Sequence, residues 1–142
     1  MVIRAARLID GRGSILSGGA VAVKDGKIIS VGTTTGRVTH DLGNLTLLPG
    51  FIDTHVHIGW HFDEKGRYHA GPEPAEQALR YGAENALVTL MAGFTTVQSV
   101  GAASDKPLRD AIASGVLPGP RILTSLGSIG NVKWTPEDIR AD

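Results

Sequence analysis

The chain has no cysteine among its 142 residues. A disulfide framework and a thiolate metal site are therefore both excluded. There is no surplus of charge either, because 14 Lys and Arg balance 14 Asp and Glu. Nonspecific nucleic-acid binding, which needs cations to neutralise phosphates, is accordingly not expected. No segment approaches the roughly 18 apolar residues of a membrane helix, so no membrane partner is expected. The opening Met1-Val2-Ile3-Arg4-Ala5-Ala6-Arg7-Leu8 is too short an apolar stretch for a secretory signal, and arginines interrupt it. A cytoplasmic home is the simplest expectation. Without a signal peptide the sequon Asn44-Leu45-Thr46 carries little weight.

What is present describes a folded chain. Hydrophobic residues make up 42% and charged residues 20%, which suits a soluble globular protein. Nineteen glycines, many beside short apolar runs, mark frequent turns between strands and helices. Residues 1–49 read as β. Val2 to Ile9 is strand-like and ends at Asp10-Gly11, and a further short strand, Leu45 to Leu48, stops at Pro49-Gly50. Val21–Lys24 and Lys27–Val31 flank Asp25-Gly26, a hairpin signal because type I′ turns need positive φ at both central residues.

From Gly50 the pattern alternates strand and helix. Phe51 to Ile58 reads as a strand, Gly59 to Pro72 as a loop, and Ala75 to Ala92 as a helix closed by Gly93, with Pro74 in its first turn. Phe94 to Val100 is a second strand, Pro107 to Ser114 a short helix, and Arg121 to Leu126 a third strand. This order argues for an α/β fold with a parallel sheet covered by helices. Thr135, Pro136 and Asp138 form a helix-start signal shortly before the last residue, Asp142, which leads us to expect that the natural polypeptide continues.

The strand Leu47-Leu48-Pro49-Gly50-Phe51-Ile52-Asp53-Thr54-His55-Val56-His57 is the most informative segment. Alternate side chains of a strand share a face, which would group Asp53 with His55 and His57. Two imidazoles so placed can converge on one ion, although a catalytic zinc site normally has three protein ligands plus water. The residues alone leave open a plainer reading, two polar side chains at a strand end. Asp53 reads equally as a carboxylate accepting backbone hydrogen bonds. His61 and His69 fall in the loop and are expected to be exposed rather than ligands, and a joint site of His61 with His57 is not expected. His40, before Asp41 in a turn, is given no role.

Pro49-Gly50-Phe51-Ile52-Asp53-Thr54-His55-Val56-His57 resembles the metal-binding first barrel strand of the amidohydrolase superfamily. Val23-Lys24-Asp25-Gly26-Lys27-Ile28 resembles the small β-domain that precedes the barrel there. Ala92-Gly93-Phe94-Thr95-Thr96-Val97-Gln98-Ser99, Asp110 to Gly115 and Gly119-Pro120-Arg121-Ile122-Leu123 also fit, in the manner of the branch holding imidazolonepropionase-like enzymes and Xaa-Pro dipeptidases.

The resemblance implies a small β-domain, residues 1–49, then the first three βα units of a TIM-type (β/α)8 barrel, residues 50–142, apparently incomplete. It implies one or two divalent metals, zinc expected, with His55 and His57 as ligands and Asp53 in support behind them. His61 and His69 become candidates for a substrate loop. It further implies hydrolysis of a C–N bond in a small-molecule amide, cyclic amide or dipeptide by metal-activated water.

The sequence departs from the family pattern after the third strand. The later lysine, two histidines and aspartate have no match: no histidine follows His69, and Lys133 lies in a loop-like stretch. An eight-unit barrel needs about 200 residues or more. These residues alone are therefore expected to be inactive, with no catalytic acid or base identified. The expected partners are a second copy of the chain or a missing C-terminal part. The alternatives are an incomplete, self-associating or metal-binding module, and a plain metal-binding β protein.

Overall fold

The computed structural model describes residues 1–33, 36–69, 73–127 and 135–141. The chain divides into two compact units, Met1–Pro49 and Gly50–Asp142.

Among its described residues the first unit holds seven short strands: β1 (Val2–Arg4), β2 (Arg7–Ile9), β3 (Ile15–Ser17), β4 (Ala20–Lys24), β5 (Lys27–Gly32), β6 (His40–Asp41) and β7 (Thr46–Leu47). They form one sheet in the order β5-β4-β1-β6 and another in the order β3-β2-β7. The apolar stretch from Val2 to Ile9 is thus two strands in two sheets, not one. The chain crosses between the sheets at Ala5 and Ala6, and Ala5 is buried with Leu8 and Ala20. Gly19 is needed at this crossing, because a Cβ there would lie 2.5 Å from Leu8 Cβ. Asp25 and Gly26 both have positive φ, 50° and 71°, and form the two-residue hairpin turn. His40 lies in a strand rather than a turn, parallel to β1, beside the Arg4–Asp41 ion pair.

The second unit opens with β8 (Phe51–Val56), followed by β9 (His61–Phe62), β10 (Tyr68–His69), α1 (Ala75–Met91), β11 (Phe94–Ser99), α2 (Asp105–Ala113), β12 (Arg121–Thr124) and α3 (Pro136–Ala141). β8, β11 and β12 form a parallel sheet with β11 in the middle, so one long side of β8 has no strand partner among the described residues. Val97 and Ile122 of the sheet, Ile58, Ala86 of α1 and Leu108 of α2 make the buried core. The helices approach closely at Gly82, where a Cβ would stand 3.0 Å from Leu108 Cδ2.

Three local readings change. Pro74 caps α1 from outside with an extended ψ of 136°, and is not in the first turn. α2 begins two residues before Pro107; a proline fits there because amides of the first helical turn have no intrahelical partner. The stretch between β8 and α1 is not a plain loop, since β9 and β10 pair as an antiparallel hairpin. Asp63 holds its turn by accepting from the amides of Lys65 and Arg67 and from Arg67 Nε, each at 2.9 Å.

Candidate functional site

His55 is an exposed residue near the end of β8, and His57 follows one residue beyond the strand, half-buried at the start of a turn closed by Trp60 N donating to His57 O. Their ring centroids are 5.5 Å apart, with planes at 74°. Two imidazoles bound to one tetrahedral ion have ring centres about 5 Å apart, so the spacing fits a shared cation. Among the described residues neither ring makes a hydrogen bond, which leaves the nitrogens available as donors to a metal.

Asp53 is half-buried, and its Oδ1 accepts the backbone amide of His55 at 3.0 Å. The strand does not alternate evenly from Asp53 to His57. Asp53 pairs with Val97, but Val56 pairs with Ser99, so three steps of β8 match two of β11. A face counted by twos from Asp53 does not carry across that bulge.

Three side chains that the sequence did not single out hold the end of this strand. The Trp60 indole stacks on the His57 ring, centroids 3.6 Å apart and planes within 6°. Asn85 of α1 donates from Nδ2 to the carbonyls of Ile58 and Trp60, both at 2.8 Å. The buried Ser99 hydroxyl accepts the amide of Ile58 at 3.3 Å. Nothing local marked Trp60 or Ser99.

His61 and His69 are not exposed loop residues. His61 lies in β9, is buried, and stacks on Tyr81 of α1 with centroids 3.8 Å apart. His69, directly across the hairpin in β10, is half-buried. Hairpin pairing and the cover of α1 explain the difference, since Tyr81 covers the His61 ring and the ladder sets the His69 ring beside it. Glu73 joins them, and one possible ligand atom from each of the three lies within 4.8 Å of the others. At the hairpin turn, hydrogen bonds from the Arg67 amide and guanidinium hold the Asp63 carboxyl below its ordinary value of 3.8. Lys133 lies outside the described residues. No helix among the described residues is long and apolar enough to cross a membrane.

Comparison with known proteins adds three relatives and one family match. A solved Xaa-Pro dipeptidase structure with bound methionine in the active site matches at a TM-score of 0.69 and 32% identity, over 87% of this chain and 32% of that one. The A. niger ochratoxinase structure matches at a TM-score of 0.66 and 21% identity, over 87% of this chain and 30% of that one, a likeness of fold. An adenine deaminase of Desulfitobacterium hafniense (strain Y51) is 42% identical over 62 residues, 44% of this chain and 10% of the deaminase. The chain thus spans about a third of the solved structures it resembles and a tenth of that deaminase. The model of the amidohydrolase family matches residues 46–139, which run from β7 through the parallel sheet into α3 and include both His55 and His57. The chain belongs to the amidohydrolase family.

Proposed function

We propose that this chain supplies the opening part of the site of a metal-dependent hydrolase that cleaves C–N bonds in small amides, cyclic amides or dipeptides. In this reading Met1–Pro49 is the small β-domain and Gly50–Asp142 begins a (β/α)8 barrel. Family membership and the likeness to an Xaa-Pro dipeptidase support it. So does the strand order β8-β11-β12, in which each parallel neighbour follows the last through a helix. The observation that carries the reading is the His55–His57 pair, 5.5 Å between rings at the C-terminal end of β8. In barrels of this type the chemistry sits at that end of the strands.

His55 and His57 would hold a divalent ion, zinc by the chemistry of two imidazoles. When bound, such an ion activates water and polarises a carbonyl oxygen. The chain's own contribution is placement. Asp53 braces the His55 backbone, Trp60 fixes the His57 ring plane, and Asn85 with Ser99 anchors the turn between them. No histidine follows His69, so the proposal gives these residues two ligands and leaves proton transfer to groups elsewhere.

The test is metal content after zinc loading, wild type against His55→Ala with His57→Ala. The double variant is expected to lose one bound ion, and equal content rejects the reading.

A second reading, a self-associating module, is favoured by apolar side chains left open on both outer strands. Ile52 of β8 is 67% exposed and Leu123 of β12 43%. Burying such surface is favourable by about 25 cal/mol per Å2. Sedimentation velocity tests it: association is expected, and a monomer at every concentration rejects it.

A further inference from the structure

His61, His69 and Glu73 have no spacing that marks a metal site, yet the fold assembles them. His61 faces His69 across the β9–β10 ladder, and Glu73 directly precedes the cap of α1. The two rings are 5.1 Å apart between centroids, and His61 Nε2 lies 3.7 Å from Glu73 Oε2. The His61 side chain is 6% exposed and that of Glu73 11%.

Two independent observations point to a missing ligand. His69 Nε2 and Glu73 Oε2 are buried and have no hydrogen-bond partner among the described residues. Native interiors seldom leave such atoms unpaired, and an ion is a recognised reason when they do. Next, His61 Nδ1 stands 3.1 Å from the carbonyl of Gly59. A carbonyl only accepts, so Nδ1 carries the hydrogen, and in the neutral tautomer it is Nε2, the nitrogen nearest Glu73, that keeps the lone pair. Metal-binding histidines are commonly held this way, with the second nitrogen tied to a carbonyl. Stacking on Tyr81 fixes the same ring. An ion pair between His61 and Glu73 explains less: 3.7 Å is too long for a hydrogen bond, and His69 Nε2 stays unpaired.

We propose that His61, His69 and Glu73 form a buried structural site for a divalent ion of the zinc class, with water as fourth ligand. Two imidazoles and one carboxylate suit zinc, whereas calcium and magnesium favour all-oxygen shells. With bonds of about 2.0–2.1 Å, tetrahedral donors stand about 3.3 Å apart, so binding needs only a small inward shift of these side chains. The ion ties the β9–β10 hairpin to the start of α1. It shares no residue with the His55–His57 pair and does not depend on the function assigned to that pair.

The test uses the full chain carrying His55→Ala and His57→Ala, stripped with chelator and titrated with Co2+ followed by visible absorption. One equivalent is expected to bind, with the d–d bands of a four-coordinate ion. Adding His69→Gln or Glu73→Gln is expected to weaken binding by more than about 100-fold, beyond the usual effect of changing an outer-shell partner. Zn2+ added to the His55→Ala, His57→Ala chain is expected to raise its Tm and to shift the Nε2 resonances of His61 and His69, readouts that need no ligand variant. Absence of Co2+ binding, undiminished affinity in both added variants, or unmoved Nε2 resonances overturns the proposal.

Discussion

The indole of Trp60 lies flat on the imidazole of His57, 3.6 Å between ring centres. A ring held on one face keeps its nitrogen directions, and a ligand already oriented loses little freedom when it binds an ion. Trp60→Ala should therefore weaken zinc binding at the His55–His57 pair by about 10-fold, within the range known for outer-shell partners. Zinc titration of the variant with His69→Gln as background isolates that pair. Because Trp60 is 47% exposed, its Tm should change little.

Asn85 bridges two carbonyls that no other described group serves together. Asn85→Ala should cost about 1–3 kcal/mol in urea unfolding, because the Ile58 carbonyl is left underpaired in a part-buried place. Asn85→Asp should cost more, since a carboxylate would face two acceptors. Equal stability of the two variants would show that the bridge is not what holds the turn.

Gly50 directly precedes β8 and lies under the Thr95 side chain, and a Cβ at this position would lie 2.2 Å from Thr95 Cγ2 and Oγ1. Gly50→Ala should destabilise by about 1–3 kcal/mol through overpacking. Thr95→Ala in the same chain should relieve part of the cost but not all, because Thr95 Cβ remains at 2.7 Å. A double-mutant cycle in denaturant reads this coupling.

Asp63 gives a pH dependence of known sign. Hydrogen bonds from Arg67 lower its carboxyl pKa in the folded hairpin below the ordinary 3.8. The folded state thus binds the proton less readily than the unfolded state. The stabilisation is complete above 3.8 and fades as pH falls through the lowered value. Protection of the Lys65 and Arg67 amides, taken relative to their intrinsic exchange rates, should fall over that acid range, and Asp63→Asn should flatten the dependence.

How much of this could be read from the sequence depends on whether a feature is local. The alternation β8-α1-β11-α2-β12 was visible, because apolar periodicity and the Gly93 stop are properties of short windows. The spacing of His55 and His57 was visible for the same reason. The division of Val2–Ile9 between two sheets was not, since an apolar run carries no mark of where the chain changes partners. The β9–β10 hairpin was not legible because its strands are two residues each, too short to show alternation, although Asp63 and Gly66 at its turn are a usable cue. The meeting of His61, His69 and Glu73 depends on that hairpin and so was hidden with it. The bulge between Asp53 and Val56 is likewise a product of strand pairing, and counting by twos could not anticipate it.

The hydroxyl of Ser99 reaches the amide of Ile58, one residue past His57. The middle strand thereby acts as a gauge for the tip of its neighbour: sliding β11 lengthwise would carry the His57 imidazole along. Stagger between two strands becomes angular aim at a donor nitrogen. A homologue that exchanges this serine for alanine would have to recover the same aim from a different tether.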